Sequence, residues 1–399
     1  MQDLAIVGMG LVGSAALRHA TRTTSAVVGI GPPEPSDWAA HGGPFASHYD
    51  SGRVTRRLDA RMEWAILASR AIAEYSEIEA SSEISFHRAT GMLFARHDEA
   101  GLQRLRDTAS ALDIPLEDGR KEAEAHRIRI ADSATVLAEP APAGTINPRA
   151  MVAAQHRAAK RNGALIARDA VMSIRPSLDG FELLTVAGRT HQARNVLVAA
   201  GAYTNSLAPQ PLAVALRPEI VVLGEVTDAQ AEELSDMPSV IHLLEHPELD
   251  DVYVNPPMTY PDGNTYIKIG GSQPHATTIE DADGINRWMS REVEPHSLGL
   301  LRDVLVSLLP DVSFVGWQAK PCIITDTPTG LPYIDRLESG ITVAFAGNGH
   351  AAKSADAVGA IAAQLALTGD WPDDELDESL FQAQLGTFTP GQGSRHGNR

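Results

Sequence analysis

Near its start the chain carries Gly8-Met9-Gly10-Leu11-Val12-Gly13, a G-x-G-x-x-G pattern between an apolar run at residues 4–7 and an alanine- and leucine-rich stretch at 11–21. The run reads as a buried strand and the stretch as a helix, so the glycines fall at a strand-to-helix turn. Glycine there permits the tight reversal and the close approach of a ligand to bare backbone, and the unpaired N–H groups of the helix start attract a pyrophosphate. In this context the pattern predicts a bound dinucleotide at Gly8, Gly10, Val12 and Gly13. The acid that holds the ribose at the end of the second strand is missing, because that strand ends Val27-Val28-Gly29-Ile30. Glu34 is the nearest carboxylate, either a substitute reaching in from the loop or a solvated side chain.

The rest of the chain extends the strand–helix alternation. Residues 26–30 read as the second strand, and residues 31–52, rich in Gly, Pro and His, form a loop too long for an ordinary connector and suited to binding. A long helix is expected at 57–77, a strand at 91–96, a helix at 99–112, a Pro/Ala-rich crossing at 139–144 and a helix at 147–162. Short strands at 164–167, 171–175, 181–186 and 195–199 lead to Gly201. This alternation predicts an α/β chain with a doubly wound, Rossmann-like sheet. Between 216 and 315 the pattern changes to longer alternating strands, such as 219–225 and 265–270, with a helix at 284–309, which predicts an antiparallel α+β part on the substrate side. A buried strand at 341–346 and a helix at 351–367 follow, joined by Gly347-Asn348-Gly349, and the tail after Gln382 reads as frayed. Two interleaved parts are expected: residues 1–90, 146–215 and 315–399 for the dinucleotide, and 91–145 and 216–314 for the substrate.

Composition excludes several classes. The formal charge of −18 is spread along the chain without acidic blocks, which argues against nucleic acid or an anionic membrane as partner. No stretch reaches the roughly 18 unbroken apolar residues of a membrane span, and the first apolar run lacks the basic flank of a signal peptide. Cys322 is the only cysteine, so no intrachain disulfide forms and the cytoplasm is the expected compartment. No metal is expected.

On composition alone a lone cysteine is a small buried hydrophobe. Cys322, however, opens a block that continues with Thr325, Ile334-Asp335, a strand at 342–346, Gly347-Asn348-Gly349-His350-Ala351-Ala352-Lys353, and a helix ending Gln364-Leu365-Ala366-Leu367-Thr368-Gly369. In order and content this block resembles the monomeric sarcosine oxidase family of FAD-dependent amine oxidases, within the D-amino acid oxidase-like superfamily, and the resemblance runs over nearly the whole chain. It implies FAD, tethered by a thioether to Cys322. The turn Gly347, Gly349 and His350 would face the flavin, and Lys353 would project into the substrate space. The segment Ser47-His48-Tyr49-Asp50-Ser51-Gly52-Arg53-Val54-Thr55-Arg56 is similar to the family's Ser-His-Gly-Asp-Thr-Arg-x-x-Arg motif with one residue inserted. That match sets His48 and Arg53 against the cofactor and Arg56, with Lys353, on a substrate carboxylate. Val171 and Gly201 complete the expected cofactor contacts.

Tyr266-Ile267-Lys268-Ile269-Gly270 resembles the strand whose lysine promotes reoxidation of the flavin by O2; a surface lysine is the alternative that alternation leaves open. Two pocket positions depart from the family and a third is kept. The family's pocket histidine is here Ser272, with His275 nearby but out of register; a pocket tyrosine is replaced by Ile324; and Tyr253 keeps a second tyrosine position. These changes alter substrate choice more than reaction type. The resemblance implies an oxidase of secondary amines, acting on an N-substituted amino acid to give an imine that hydrolyses, with O2 reduced to hydrogen peroxide. The partners would be the small amine and O2, and the protein a monomer or weak homo-oligomer. The alternatives are a dehydrogenase with another electron acceptor, a fructosyl amino acid oxidase, and a flavin-binding protein without turnover.

Overall fold

A computed structural model of the protein describes residues 1–37, 40–273 and 279–389. Two eight-stranded sheets carry the architecture, with a third of three short strands. In the first, Gln2–Val7 runs parallel to Val27–Ile30 on one side and Thr190–Val198 on the other. Leu165–Ala167 extends the parallel set outward, and Thr342–Phe345 pairs parallel with the end of Thr190–Val198. Alternation along Gln2–Val7 splits its side chains between two cores. Leu4 and Ile6 enter a core shared with the helices Leu11–Ala20, Met62–Ser82, Pro148–Arg161 and Ala351–Thr368, whereas Ala5 and Val7 enter another built from strands and loops.

The Rossmann-like parallel sheet is present as expected, but it is not doubly wound. Among the described residues, α-helices cover one face of this sheet. The core on the opposite face takes Val171, Ile174, Phe181 and Leu183 from the antiparallel strands Val171–Ser177 and Gly180–Thr185, which continue the same sheet beyond Thr190–Val198. The reason lies in the connections: only residues 178–179 and 186–189 separate these strands, and a parallel crossover needs about a dozen or more residues.

The second sheet takes its strands in the order 316–326, 215–226, 265–271, 251–259, 239–243, 92–96, 135–139 and 117–118. It is antiparallel as expected except that Ser239–Leu243 runs parallel to Met92–Arg96. Gly316–Asp326, which the sequence reading grouped with the dinucleotide part, pairs along its whole length with Ala215–Val226 in this sheet. The helices Ala282–Met289 and Pro295–Leu308 contribute to its apolar core. One helix was expected there; Pro295 cannot supply a helical N–H and instead starts the second helix at its first turn.

Two other boundaries differ. The helix expected from residue 57 starts at Met62, because the Glu139 carboxylate accepts the N–H groups of Arg57 (2.8 Å) and Leu58 (3.0 Å) and holds this segment out of a helix. The tail does not fray directly after Gln382: Ala213 N donates to Gln384 O at 2.7 Å, and Leu385 bridges to Leu212. Residues 390–399 lie outside the described part. No described helix is long and apolar enough to cross a membrane.

Candidate active site

A cavity of about 830 Å³ opens at the carboxyl ends of Gln2–Val7 and Val27–Ile30 and runs between the two sheets, where α/β folds bind their ligands. At one end is the glycine turn. Gly8 has φ +97°, and a Cβ there would lie 2.4 Å from the Ala199 carbonyl oxygen; a Cβ on Gly13 would lie 1.8 Å from the Gly8 oxygen. Gly10 precedes the helix Leu11–Ala20 without a side-chain cap, so the first N–H groups of that helix remain available to a ligand. Across from Gly10, the Nδ1 of His48 is buried without a hydrogen-bond partner and lies 3.5 Å from where a Gly10 Cβ would stand. Burial lowers the His48 pKa to about 3, which keeps the ring neutral.

At the other end is the turn 347–350. Ala346, Asn348 and Gly349 have positive φ of 67°, 47° and 83°. The Asn348 side chain holds the turn by accepting from Thr327 N at 2.8 Å and donating to Ala346 O at 2.8 Å. The helix Ala351–Thr368 follows with no side-chain cap, so the positive end of its dipole faces the cavity. His350 stacks on Trp64 at 5.0 Å.

Arg56, His350 and Lys353 share one wall, joined behind it by a residue that the sequence reading missed. Asp59 is fully buried, and its Oδ2 lies 2.7 Å from Lys353 Nζ, 3.2 Å from Arg56 Nη2 and 2.9 Å from His350 Nδ1. Burial alone would raise the Asp59 pKa, but Lys353, His350 and Arg56 hold it well below the usual carboxylate range. Burial, reinforced by Arg56, lowers Lys353 to about 8 against the pull of Asp59. Burial also takes His350 down to about 4. The Arg56 guanidinium lies 5.1 Å from the centre of the Phe94 ring.

Cys322 lies on Gly316–Asp326, opposite Glu219 of the neighbouring strand. It is a free thiol on the cavity wall, and its carbonyl accepts from Trp288 Nε1 at 2.8 Å. Lys268 is fully buried but stands behind the wall, donating to Asp50 Oδ2 at 2.5 Å and to Gly52 O at 2.9 Å, with its Nζ 5.2 Å from the centre of the Tyr253 ring. Burial, with Arg53 nearby, pushes Lys268 well below the ordinary lysine range. Asp50 also pairs with Arg53 and accepts from Tyr260 Oη at 2.7 Å.

Residues 3–365 match the family model of DAO, described as FAD dependent oxidoreductase. The chain belongs to this family of FAD-dependent oxidoreductases. It is similar to a monomeric sarcosine oxidase of Streptomyces avermitilis, 25% identical over 378 residues that cover 92% of this chain and 94% of that protein. Among solved structures it is similar to NikD, an unusual amino acid oxidase essential for nikkomycin biosynthesis, with TM-score 0.75 and 20% identity over 96% of this chain and 97% of that one. It is also similar to iminodiacetate oxidase from Chelativorans sp. BNC1, with TM-score 0.70 and 17% identity over 97% of this chain and 100% of that one.

The site's own chemistry fits the family's cofactor. The bare backbone at Gly10, the orphaned His48 nitrogen opposite it and the two uncapped helix starts are what a dinucleotide with an electron-accepting ring needs at its two ends. Of the residues expected in this FAD-dependent oxidoreductase, Gly8, Gly10, Val12, His48, Arg53, Arg56, Val171, Gly201, Tyr253, Cys322, Gly347, Gly349, His350 and Lys353 all line the cavity. Gly13 and Lys268 do not, because Gly13 packs on Gly8 and Lys268 is turned toward Asp50.

Ile324 is on the wall, and Ser272 is buried away from it with its hydroxyl 3.3 Å from Asp251; His275 lies outside the described residues. Glu34 is not on the wall: Arg149 Nε donates to both its oxygens at 2.8 Å, and Arg149, not Glu34, lines the cavity. Besides Asp59, the sequence reading missed Arg149, Trp64 and Lys320 on the wall. Nothing in their local sequence distinguishes them from surface or core residues.

Proposed function

We propose that this FAD-dependent oxidoreductase oxidises the C–N bond of a secondary amine borne by an N-substituted amino acid. The observation that carries this reading is the convergence of Arg56 and Lys353, far apart in sequence, on the wall that also carries the turn 347–350. A planar guanidinium and a point-charge ammonium side by side suit a carboxylate. Docked there, the substrate would present its nitrogen and the adjacent carbon along the cavity. Bound FAD supplies the acceptance of two electrons and their transfer to O2 as hydrogen peroxide. The imine product is hydrolysed by water. Tyr253 and Ile324 border the space for the N-substituent. Cys322, an unpaired thiol on the wall, is our candidate for the covalent anchor of the cofactor. A reduced thiol suits the cytoplasm.

The test is a visible spectrum of the purified protein before and after acid precipitation, followed by anaerobic addition of N-methyl amino acids. Yellow colour kept by the precipitate, lost from it in Cys322→Ser, and bleaching by the amine with peroxide formed on readmission of air are the expected results. A flavin that no amine bleaches would overturn the reading, and a flavin that stays with denatured Cys322→Ser protein would overturn the anchor.

One observation favours a second reading, a dehydrogenase with another electron acceptor: Lys268 is tied to Asp50 and Gly52 behind the wall and does not face the cavity. Reoxidation of the reduced enzyme by O2 at a rate far below turnover with an artificial acceptor would select it.

A further inference from the structure

We propose that Asp59 is the positioning residue of the substrate clamp: one buried carboxylate oxygen orients Arg56 and Lys353 together and serves as their shared counter-ion. This rests on the reading of Arg56 and Lys353 as the clamp.

The geometry is one-sided. Arg56, His350 and Lys353 line the cavity, and Asp59 stands behind all three with no exposure of its own. Its Oδ2 meets Lys353 at 2.7 Å, His350 at 2.9 Å and Arg56 at 3.2 Å, while its Oδ1 accepts from Arg61 N at 3.1 Å. Asp59 is itself fixed from outside, since Glu139 binds the N–H groups of Arg57 and Leu58 immediately before it. Two cations held together away from water repel strongly, and an anion touching both offsets that repulsion.

The charged and titratable groups that influence Lys353 are Arg56 and Asp59 from one segment, His350 from the start of its own helix, and Glu139 from Thr135–Glu139. With His350 neutral, the clamp keeps its double charge at neutral pH through Asp59, with Glu139 as a more distant second anion. An amide in place of Asp59 keeps the shape and an acceptor oxygen but removes the charge. Burial and Arg56 would then drive Lys353 toward its neutral form.

The test titrates flavin-loaded protein with methoxyacetate, an unreactive monocarboxylate, across pH, followed both by calorimetry and by perturbation of the flavin spectrum. Wild-type binding should hold up to about pH 8 and fall above it, where Lys353 loses its proton. In Asp59→Asn the midpoint should move down by roughly 1–3 pH units, the size of shift that one adjacent opposite charge produces. Asp59→Glu keeps the charge at longer reach: the pH midpoint should stay and affinity should fall on the order of tenfold, a loss of about 1.4 kcal/mol in orientation. This variant also decides the matter if Asp59→Asn does not fold. An Asp59→Asn protein that folds and keeps the wild-type midpoint, or an Asp59→Glu protein with undiminished affinity, overturns the proposal. Wild-type protein that binds no carboxylate at any pH overturns the clamp itself and Asp59's role with it.

Discussion

Asp356 and Asp59 are both buried anions served by the helix Ala351–Thr368, Asp356 from within it and Asp59 through Lys353, a turn earlier. Asp356 accepts from Arg18 Nη2 at 2.9 and 3.1 Å and from Gln155 Nε2 at 2.7 Å, and lies 2.9 Å from His19 Nε2. These partners tie the helices Leu11–Ala20 and Pro148–Arg161 to Ala351–Thr368. His19, Glu74 and Asp356 are close enough together to suggest a metal site, yet Arg18 Nη2 lies between the two carboxylates, 3.1 Å from Glu74 and 2.9 Å from Asp356, and supplies the cation. Asp59 has partners of the same kind, but every side chain it holds also faces the cavity. The contrast shows that a buried carboxylate acts as scaffold when its donors point only inward, and as part of a site when the same donors also meet the ligand space.

The sharpest way to break this comparison is to remove one cation from the cavity side. Lys353→Met should lower kcat/KM for an N-methyl amino acid on the order of a thousandfold, about 4 kcal/mol, the loss typical of one partner of a buried charge pair. Steady-state rates with the matching carboxamide should change little, and an equal loss on both substrates would show that Lys353 is not a carboxylate ligand. On the scaffold side, Asp356→Asn should cost about 3 kcal/mol of stability in denaturant unfolding, with kcat within about twofold of wild type.

The two anions also differ in what acid does to them. Asp356 is held below the ordinary carboxylate value of 3.8, with burial opposed by the stronger pull of His19 and Arg18. Its contribution is therefore complete above that pH and is lost as the pH falls below it. Wild type should lose stability below about pH 4 more steeply than Asp356→Asn, and parallel curves would remove the ion pair as the cause.

The smallest effect concerns how the two cofactor-facing helices meet. A Cβ on Gly359 would lie 2.7 Å from the Ala15 Cβ and 2.9 Å from the Val12 oxygen. Gly359→Ala should cost about 1–3 kcal/mol and loosen cofactor binding, because the displaced helix starts at Leu11 beside the glycine turn. A fully stable Gly359→Ala protein would show that the helices can separate without consequence.

Much of this was legible in the chain because it is local. The strand, glycine turn and helix from Gln2 to Ala20 are contiguous, and Gly13 answers a contact within the motif, the Gly8 oxygen, although Gly8 and Gly10 answer Ala199 and His48 from remote segments. The block from Cys322 to Gly369 was legible through the family resemblance, and of it Cys322, Thr325 and residues 344–353 line the cavity. The helix expected from residue 57 was misplaced because its donors go to Glu139, a residue 82 positions from Arg57 and 81 from Leu58. Helix propensity cannot anticipate that competition.

The sequence by itself determined the kind of ligand, a dinucleotide at a strand-to-helix glycine turn, while Arg56 and Lys353 were placed on the remaining space only through the family resemblance. Its glycines carry that information in their own chemistry and spacing. Only the tertiary structure decided how those cations are charged and aimed. Asp59 sits 3 residues from Arg56 but 294 from Lys353, and Lys268 meets Asp50 across 218 residues. Electrostatic pairing depends on distance in space and on exclusion of water, and both are set only when the two sheets and the helix Ala351–Thr368 close around the cavity.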